Sequence, residues 1–337
     1  MEVVVSPPDN NHRARRPILQ LSLEDEGLHP SMDCSWQWGE TTYRKDGLSI
    51  GRDYLRVEGQ TIVRGSLQPD ELVPLDTILG KGAFSSVQLA YWKSHCHEKV
   101  AVKHCSLVDT SKDRRNQLLR ELKLISLLDS LALVKLHGAF LENDIVTTVL
   151  EYMNQGSLAD FFDAATSNTI PESFAAAVTF QAVQGLEYLH QWPILHRDVK
   201  PGNILLHSDG SVKLCDFGMA GLSEDSMHRT AVGTTVYMSP ERLRGLPYGR
   251  TSDLWSLGLV VLQLLTNLPP PWSHVKSMVD LLVTIEDCDP GTDFTPPECT
   301  DEAAEVVEAC LQHDPGKKSM RKRCIPFCEV ICDVSLD

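Results

Sequence analysis

The 337-residue sequence predicts an α+β fold, with strands in its first half and helices in its second. Three observations predict it. Apolar and alternating runs at Leu72–Leu79, Val87–Tyr91, Val100–Lys103 and Ile145–Met153 read as strands. Between them, Leu118, Leu122 and Ile125 recur at helical spacing within residues 116–128. Beyond Gly156 helices take over, and residues 174–190 form a strong one.

In chain order, residues 1 to 66 are polar, with Pro, Gly and Asp-Glu clusters and short apolar runs, and read as a largely disordered extension. Leu79-Gly80-Lys81-Gly82-Ala83-Phe84-Ser85-Ser86-Val87 then reads as a turn joining two strands. Glycine at 80 and 82 lets backbone amides approach phosphates where no side chain fits. Taken alone, the segment reads equally as an ordinary hairpin. Lys103 is the charged residue of a buried strand and needs a carboxylate and a phosphate nearby. Glu121, eighteen residues on and in the helical run, supplies the carboxylate.

The chemistry concentrates at His196-Arg197-Asp198-Val199-Lys200-Pro201-Gly202-Asn203, followed thirteen residues later by Asp216-Phe217-Gly218. Two acids, an amide and a lysine at this spacing suit phosphoryl transfer, where catalysis is positioning plus charge stabilisation. Asp198 accepts or orients the proton of an attacking hydroxyl, and Lys200 neutralises charge on the moving group. Asn203 and Asp216 offer hard oxygens to Mg²⁺.

This ordered set resembles the catalytic and metal-binding loops of the protein kinases, without substitution at a catalytic position. The resemblance covers about residues 68–318 and implies a two-lobed fold: a β-rich lobe over 67–153, a helical lobe over 154–330 and a tail over 331–337. It implies ATP and Mg²⁺ as cofactors. Residues 79–87, Ala101, Lys103, Leu150, Glu151, Met153, Leu205 and Asp216 would then line the nucleotide site, with Leu150 as gatekeeper and Glu151 and Met153 bonding adenine through their backbone. Ser85 replaces the family's third glycine. Lys318 stands where an arginine normally pairs with Glu241; a point contact in place of a fork implies a looser anchor.

Within the kinases, Val232 to Arg242, Glu151 to Leu158 and Ser252 to Gly258 resemble the MAP kinase kinases, dual-specificity enzymes of the STE type. The resemblance implies a MAP kinase substrate, phosphorylated on Thr and Tyr, and an upstream MAP kinase kinase kinase. Ser226 and Thr230 have the spacing of the group's regulatory phosphosites, with Ser223 a third candidate; a phosphate there would pair with Arg197. Arg13, Arg15 and Arg16 precede Leu19, Leu21 and Leu23. In an extended segment those leucines face one way and could fill an apolar groove while the arginines meet an acidic patch, like the group's docking motif. The alternatives are a kinase at another tier of the cascade and a pseudokinase scaffold.

Several classes are excluded or set aside. A net charge of −15 argues against nucleic acid as the main partner. No run approaches the ~18 apolar residues of a membrane span, and the start lacks a signal peptide's basic and apolar regions. Ten cysteines without a Cys-x-x-Cys pair read as free thiols in the cytoplasm. His95-Cys96-His97 reads as a surface loop, and Cys324, Cys328 and Cys332 as one face of a terminal helix. Cys215 is expected to face the nucleotide site and to be more thiolate-like than average beside Lys103.

Overall fold

The computed structural model describes residues 42–318, apart from 46–47, 53–54, 58–59, 62–68, 83–84, 94–97, 109–111, 166–168, 193, 218–234, 289–292, 294–295 and 297–298. Ala83, Phe84, Ser223, Ser226, Thr230, the arginine–leucine segment at 13–23, His95–His97 and the three C-terminal cysteines lie outside the described residues.

The chain first lays down a meander of short antiparallel strands, β1 (Thr42–Lys45), β2 (Leu48–Gly51), β3 (Leu55–Val57) and β4 (Gln60–Thr61). This corrects the expectation of a solvated extension through residue 66. Leu48 and Ile50 alternate on one face and are buried with Leu55. Three large apolar side chains leaving water together are enough to order so short a segment against a neighbouring sheet.

That neighbour is an antiparallel sheet of β5 (Leu72–Lys81), β6 (Ser85–Trp92), β7 (Glu98–Ser106), β8 (Leu136–Glu142) and β9 (Ile145–Glu151), in spatial order β5-β6-β7-β9-β8. The meander packs on β8, where Arg52 reaches Glu142 at 3.1 Å. Ala90, Trp92, Val100, Val102, Phe140 and Val149 form the core of this half. Helix α1 (Lys112–Leu127) follows β7, and its buried Leu119 and Leu122 fix which face turns inward.

Helices fill the second half: α2 (Leu158–Ala164), α3 (Glu172–Gln191), α4 (Pro240–Leu243), α5 (Arg250–Thr266), α6 (Met278–Glu286) and α7 (Asp301–Cys310). Helix α2 starts on a capping box, in which Ser157 and Asp160 satisfy each other's backbone N–H. Helix α5 is apolar almost all round and runs through the middle of the largest core, as such a sequence must. Its Gly258 lets α7 approach: a Cβ there would lie 2.5 Å from that of Cys310. The hairpin β10 (Ile204–Leu206) and β11 (Val212–Leu214) carries the segment leading to Asp216. The fold is therefore α+β, strands first and helices second.

Candidate active site

The site lies where the β-rich half meets the helical half, and each side chain is delivered by a different element. In-register pairing of β6, β7 and β9 sets Val87 beside Lys103, Ala101 beside Leu150 and Lys103 beside Thr148. Helix α1 brings Glu121 from the other side. Lys103 Nζ donates to Glu121 Oε1 at 3.3 Å and to Asp216 Oδ1 at 2.7 Å. Burial works against the amine's charge, but Asp216 and then Glu121 outweigh it and push its pKa above the usual lysine range. The same contact holds Asp216 ionised: burial would raise its pKa, yet Lys103 lowers it further.

A second cluster sits on the loop before β10. Lys200 Nζ and Asn203 Nδ2 each donate to Asp198 Oδ2 at 2.8 Å, and Asn203 Nδ2 also donates to the Asp198 carbonyl at 2.8 Å. Asp198 Oδ1 is thereby left open to solvent chemistry. The loop is fixed from beneath by Asp253 of α5, which is almost fully buried. It accepts from the His196 N–H at 3.0 Å, the Arg197 N–H at 2.8 Å and pairs with His190 Nε2 at 2.8 Å. Burial would raise the Asp253 pKa, but His190 and the loop amides hold it below the carboxylate range. This anchor supports Arg197 in a left-handed conformation (φ 68°), a strained one for a side chain of that kind.

The glycine-rich turn closes with the Gly82 N–H donating to the Ser85 carbonyl at 2.7 Å. A Cβ on Gly82 would meet Ser85 Oγ at 3.0 Å, so serine fits at 85 because 82 is glycine. A Cβ on Gly80 would meet nothing within 4 Å, leaving open space beside the backbone there. Leu79 is 39% exposed, unusual for a leucine in a sheet. Leu205 lies in β10, and Met153, just past β9, is buried. The Glu151 N–H donates to the Lys135 carbonyl at 2.9 Å, so a backbone bond from Glu151 to adenine would fall to its carbonyl. The Glu151 carboxylate turns away to take Lys213 Nζ on both oxygens at 2.7 Å.

The donor set fits a nucleotide with a divalent metal. Asn203 spends its amide nitrogen on Asp198, and Asp216 uses Oδ1 on Lys103, so Asn203 Oδ1 and Asp216 Oδ2 remain as hard oxygens. The Cys215 N–H donates to the Asn203 carbonyl at 3.0 Å, which holds the two ligand-bearing segments side by side. Behind Lys103 a cavity of about 20 Å³ is lined by Leu118, Glu121, Thr148, Leu150, Cys215 and Phe217, among others. It has room for about one water.

Residues 74–325 match the protein kinase domain family. The chain belongs to that family: it is a protein kinase. A mitogen-activated protein kinase kinase 2 from Arabidopsis thaliana is 33% identical over 307 residues, covering 83% of this chain and 80% of the relative. The mitogen-activated protein kinase kinase SIPKK of Nicotiana tabacum is 32% identical over 320 residues, 88% and 87% of the two chains. A dual specificity mitogen-activated protein kinase kinase, dSOR1 of Drosophila melanogaster, is 39% identical over 211 residues, 61% and 52%. The kinase is therefore MAP-kinase-kinase-like, and its family uses ATP with a divalent metal.

Two expectations from the sequence need correction. Cys215 does border the site, but its thiol is less acidic than usual: burial and the neighbouring Asp216 raise its pKa, and Lys103 offsets them incompletely. Lys318 is no looser a partner for Glu241. Its Nζ donates to Oε1 at 2.9 Å and Oε2 at 3.0 Å and stands 5.0 Å above the Trp255 ring. Sequence reasoning passed over the supporting roles of His190, Lys213 and Arg242; Asp253, an acid inside the apolar α5, lies in the Ser252–Gly258 run that the sequence reading singled out.

No helix among the described residues is long and apolar enough to cross a membrane.

Proposed function

We propose that this kinase is a dual-specificity MAP kinase kinase, transferring the γ-phosphoryl of ATP to the Thr and Tyr of a MAP kinase activation loop. The observation that carries the chemistry is the pairing of two clusters: Lys103 with Glu121 and Asp216, and Asp198 with Lys200 and Asn203. The names of the similar relatives support the substrate class.

In this reading Lys103, positioned by Glu121, holds the non-transferred phosphates, and the Gly80–Val87 turn covers them. Leu79, Ala101, Leu150, Met153 and Leu205 enclose the adenine. Asp198 takes the proton of the substrate hydroxyl on its open Oδ1 while Lys200 faces the transferred group. Asn203 Oδ1 and Asp216 would hold Mg²⁺, which supplies charge neutralisation at the phosphates. Residues 67–153 and 154–330 act as the two lobes. Phosphorylation of Ser226 and Thr230 by an upstream MAP kinase kinase kinase activates the enzyme, and the segment at 13–23 docks the MAP kinase in the cytoplasm.

The test is to incubate the full chain, with Ser226→Glu and Thr230→Glu, with ATP, Mg²⁺ and a panel of inactive MAP kinases, and to map the products by mass spectrometry. Phosphate on both Thr and Tyr of one activation loop is expected. Phosphate on Thr alone would reduce the reading to a Ser/Thr kinase, and none on any member would remove the MAP kinase substrate.

A further inference from the structure

None of the site's side chains comes from the β1–β4 meander, yet the meander is built firmly into the β-rich half. Its strands run from Thr42 to Thr61, ahead of residues 74–325 that match the kinase domain. Ile50 and Leu55 are 0% exposed and Leu48 2%, as deep as any side chain of the catalytic lobes. Strands β2 and β3 pack on β8, and Arg52 Nε reaches Glu142 Oε1, at the end of β8, at 3.1 Å. Among the described residues β8 is an edge strand, hydrogen-bonded to β9 alone.

The residues that lead into β8 are stitched to the site on two sides. On one, the Val134 N–H donates to the Leu214 carbonyl at 3.0 Å and the Leu214 N–H to the Ala132 carbonyl at 2.9 Å. Leu214 ends β11, two residues before Asp216. On the other, the Lys135 carbonyl accepts from the Glu151 N–H, and the Lys135 N–H donates to Glu151 Oε2 at 3.2 Å. Along β8 itself, Leu136 pairs with Leu150 and Ala139 with Thr148, both of which line the cavity behind Lys103. Backbone at the edge of a sheet opens at lower free energy than backbone in its middle. Burial of three large apolar side chains, each worth about 1.5–3 kcal/mol, holds the meander in place against that edge. A cover that only kept β8 dry would stabilise the fold and leave the site alone; the stitch at residues 132–135 ties the two together.

We propose that the meander is a positioning element for the metal-binding segment. By bracing β8 it fixes residues 132–135 against β11, and through them the 2.7 Å contact of Asp216 with Lys103. Leu48, Ile50 and Leu55 are its positioning residues; they act through β8 and reach neither nucleotide nor substrate. Arg52 pins the far end of the same strand through Glu142. The role concerns the kinase's own site and holds whatever protein it phosphorylates.

The test uses the full chain and two readouts that need no protein substrate, both taken where each variant is fully folded. In Ile50→Ala the amides of Val134 and Leu214 are expected to exchange hydrogen about tenfold or more faster than in wild type, with those of α5 changing less. The Mg²⁺ concentration for half-maximal binding of a fluorescent, non-hydrolysable ATP analogue should rise about threefold or more, because Asp216 is no longer held at its place. Ile50→Val, which keeps most of the buried volume, should stay close to wild type in both. Arg52→Glu serves if the alanine variant does not fold, since the Arg52 side chain is 68% exposed. It should move both readouts the same way by about twofold, and adding Glu142→Arg should reverse the change. Unchanged exchange at Val134 and Leu214 overturns the proposal. Equal acceleration in α5 overturns it too, as a loss of global stability. Faster exchange with an unchanged Mg²⁺ dependence would make the meander a cover alone, and likewise overturns it. Failure of the MAP kinase reading would leave both readouts standing.

Discussion

Lys103 and Lys318 are both lysines drawn out of water and held by carboxylates, one in the β-rich half and one in the helical half. Lys103 has two acids, Glu121 and Asp216, and their combined attraction exceeds the cost of burial, so its proton is held more tightly than in water. Lys318 has one, Glu241, and its side chain is 0% exposed; there burial wins and the pKa falls below the lysine range. The first amine is surrounded by surplus negative charge, and Asp216 keeps an oxygen open for a metal. The second is a closed unit, capped by Trp255 and turned away from solvent. The contrast separates two kinds of ion pair: one with spare negative charge at the proposed phosphate site, and one closed on itself that holds α4 to Lys318.

Lys103→Met should reduce kcat/KM for phosphoryl transfer about 10²–10³-fold, as loss of one charge stabiliser does, with a smaller shift in the urea midpoint than any change at Lys318. Steady-state kinetics beside equilibrium unfolding reads both. A comparable loss of stability would make Lys103 a structural lysine.

Lys318→Met should do the reverse and destabilise the fold by about 3–5 kcal/mol, because it strands the Glu241 carboxylate in the interior. Adding Glu241→Leu should restore much of that loss, since a packed apolar pair dispenses with both desolvation costs. Urea titrations of the single and double variants decide it, and an additive loss would contradict the pairing.

Asp253→Asn should fall between the two regions in character. It replaces one of the two oxygens that serve His190, His196 and Arg197 with an amide nitrogen, which is expected to cost about 1–3 kcal/mol in stability. Because the acceptor fixes the loop before Asp198, kcat should drop while KM for ATP changes little. A fall confined to KM would place its effect in nucleotide binding instead.

The smallest effect is in pH. A raised folded-state pKa at Lys103 means that its stabilisation is fully present below the ordinary 10.5 and is lost as pH climbs beyond it. The stability difference between wild type and Lys103→Met should therefore stay level from neutral pH to 10.5 and then shrink, by at most about 1.4 kcal/mol per pH unit. Lys318 has the opposite sign: its charging cost is present at neutral pH and relieved as pH rises towards 10.5. A difference for Lys103→Met that grew with pH would reverse the assignment.

The sequence alone determined the order of elements, because side-chain alternation and helical spacing are local properties that survive in a string. It also marked the candidates for the chemistry. The run from His196 to Asp216 and the lysine in an apolar strand are recognisable without coordinates, since the reaction dictates residue type and spacing. Tertiary structure decided what those residues rest on. Asp253 lies 55 residues beyond Asp198, Lys213 lies 62 beyond Glu151, and Lys318 lies 77 beyond Glu241; no local pattern encodes such partners. It decided too that Leu48, Ile50 and Leu55 are buried, because their burial depends on a strand that appears some 80 residues later. The acidity of Cys215 went the same way: the sequence places a lysine near it, but only packing fixes how much water the thiol loses and how close Asp216 stands. Charge balance at a buried site is a sum over neighbours from the whole chain, and that sum exists only once the chain has folded.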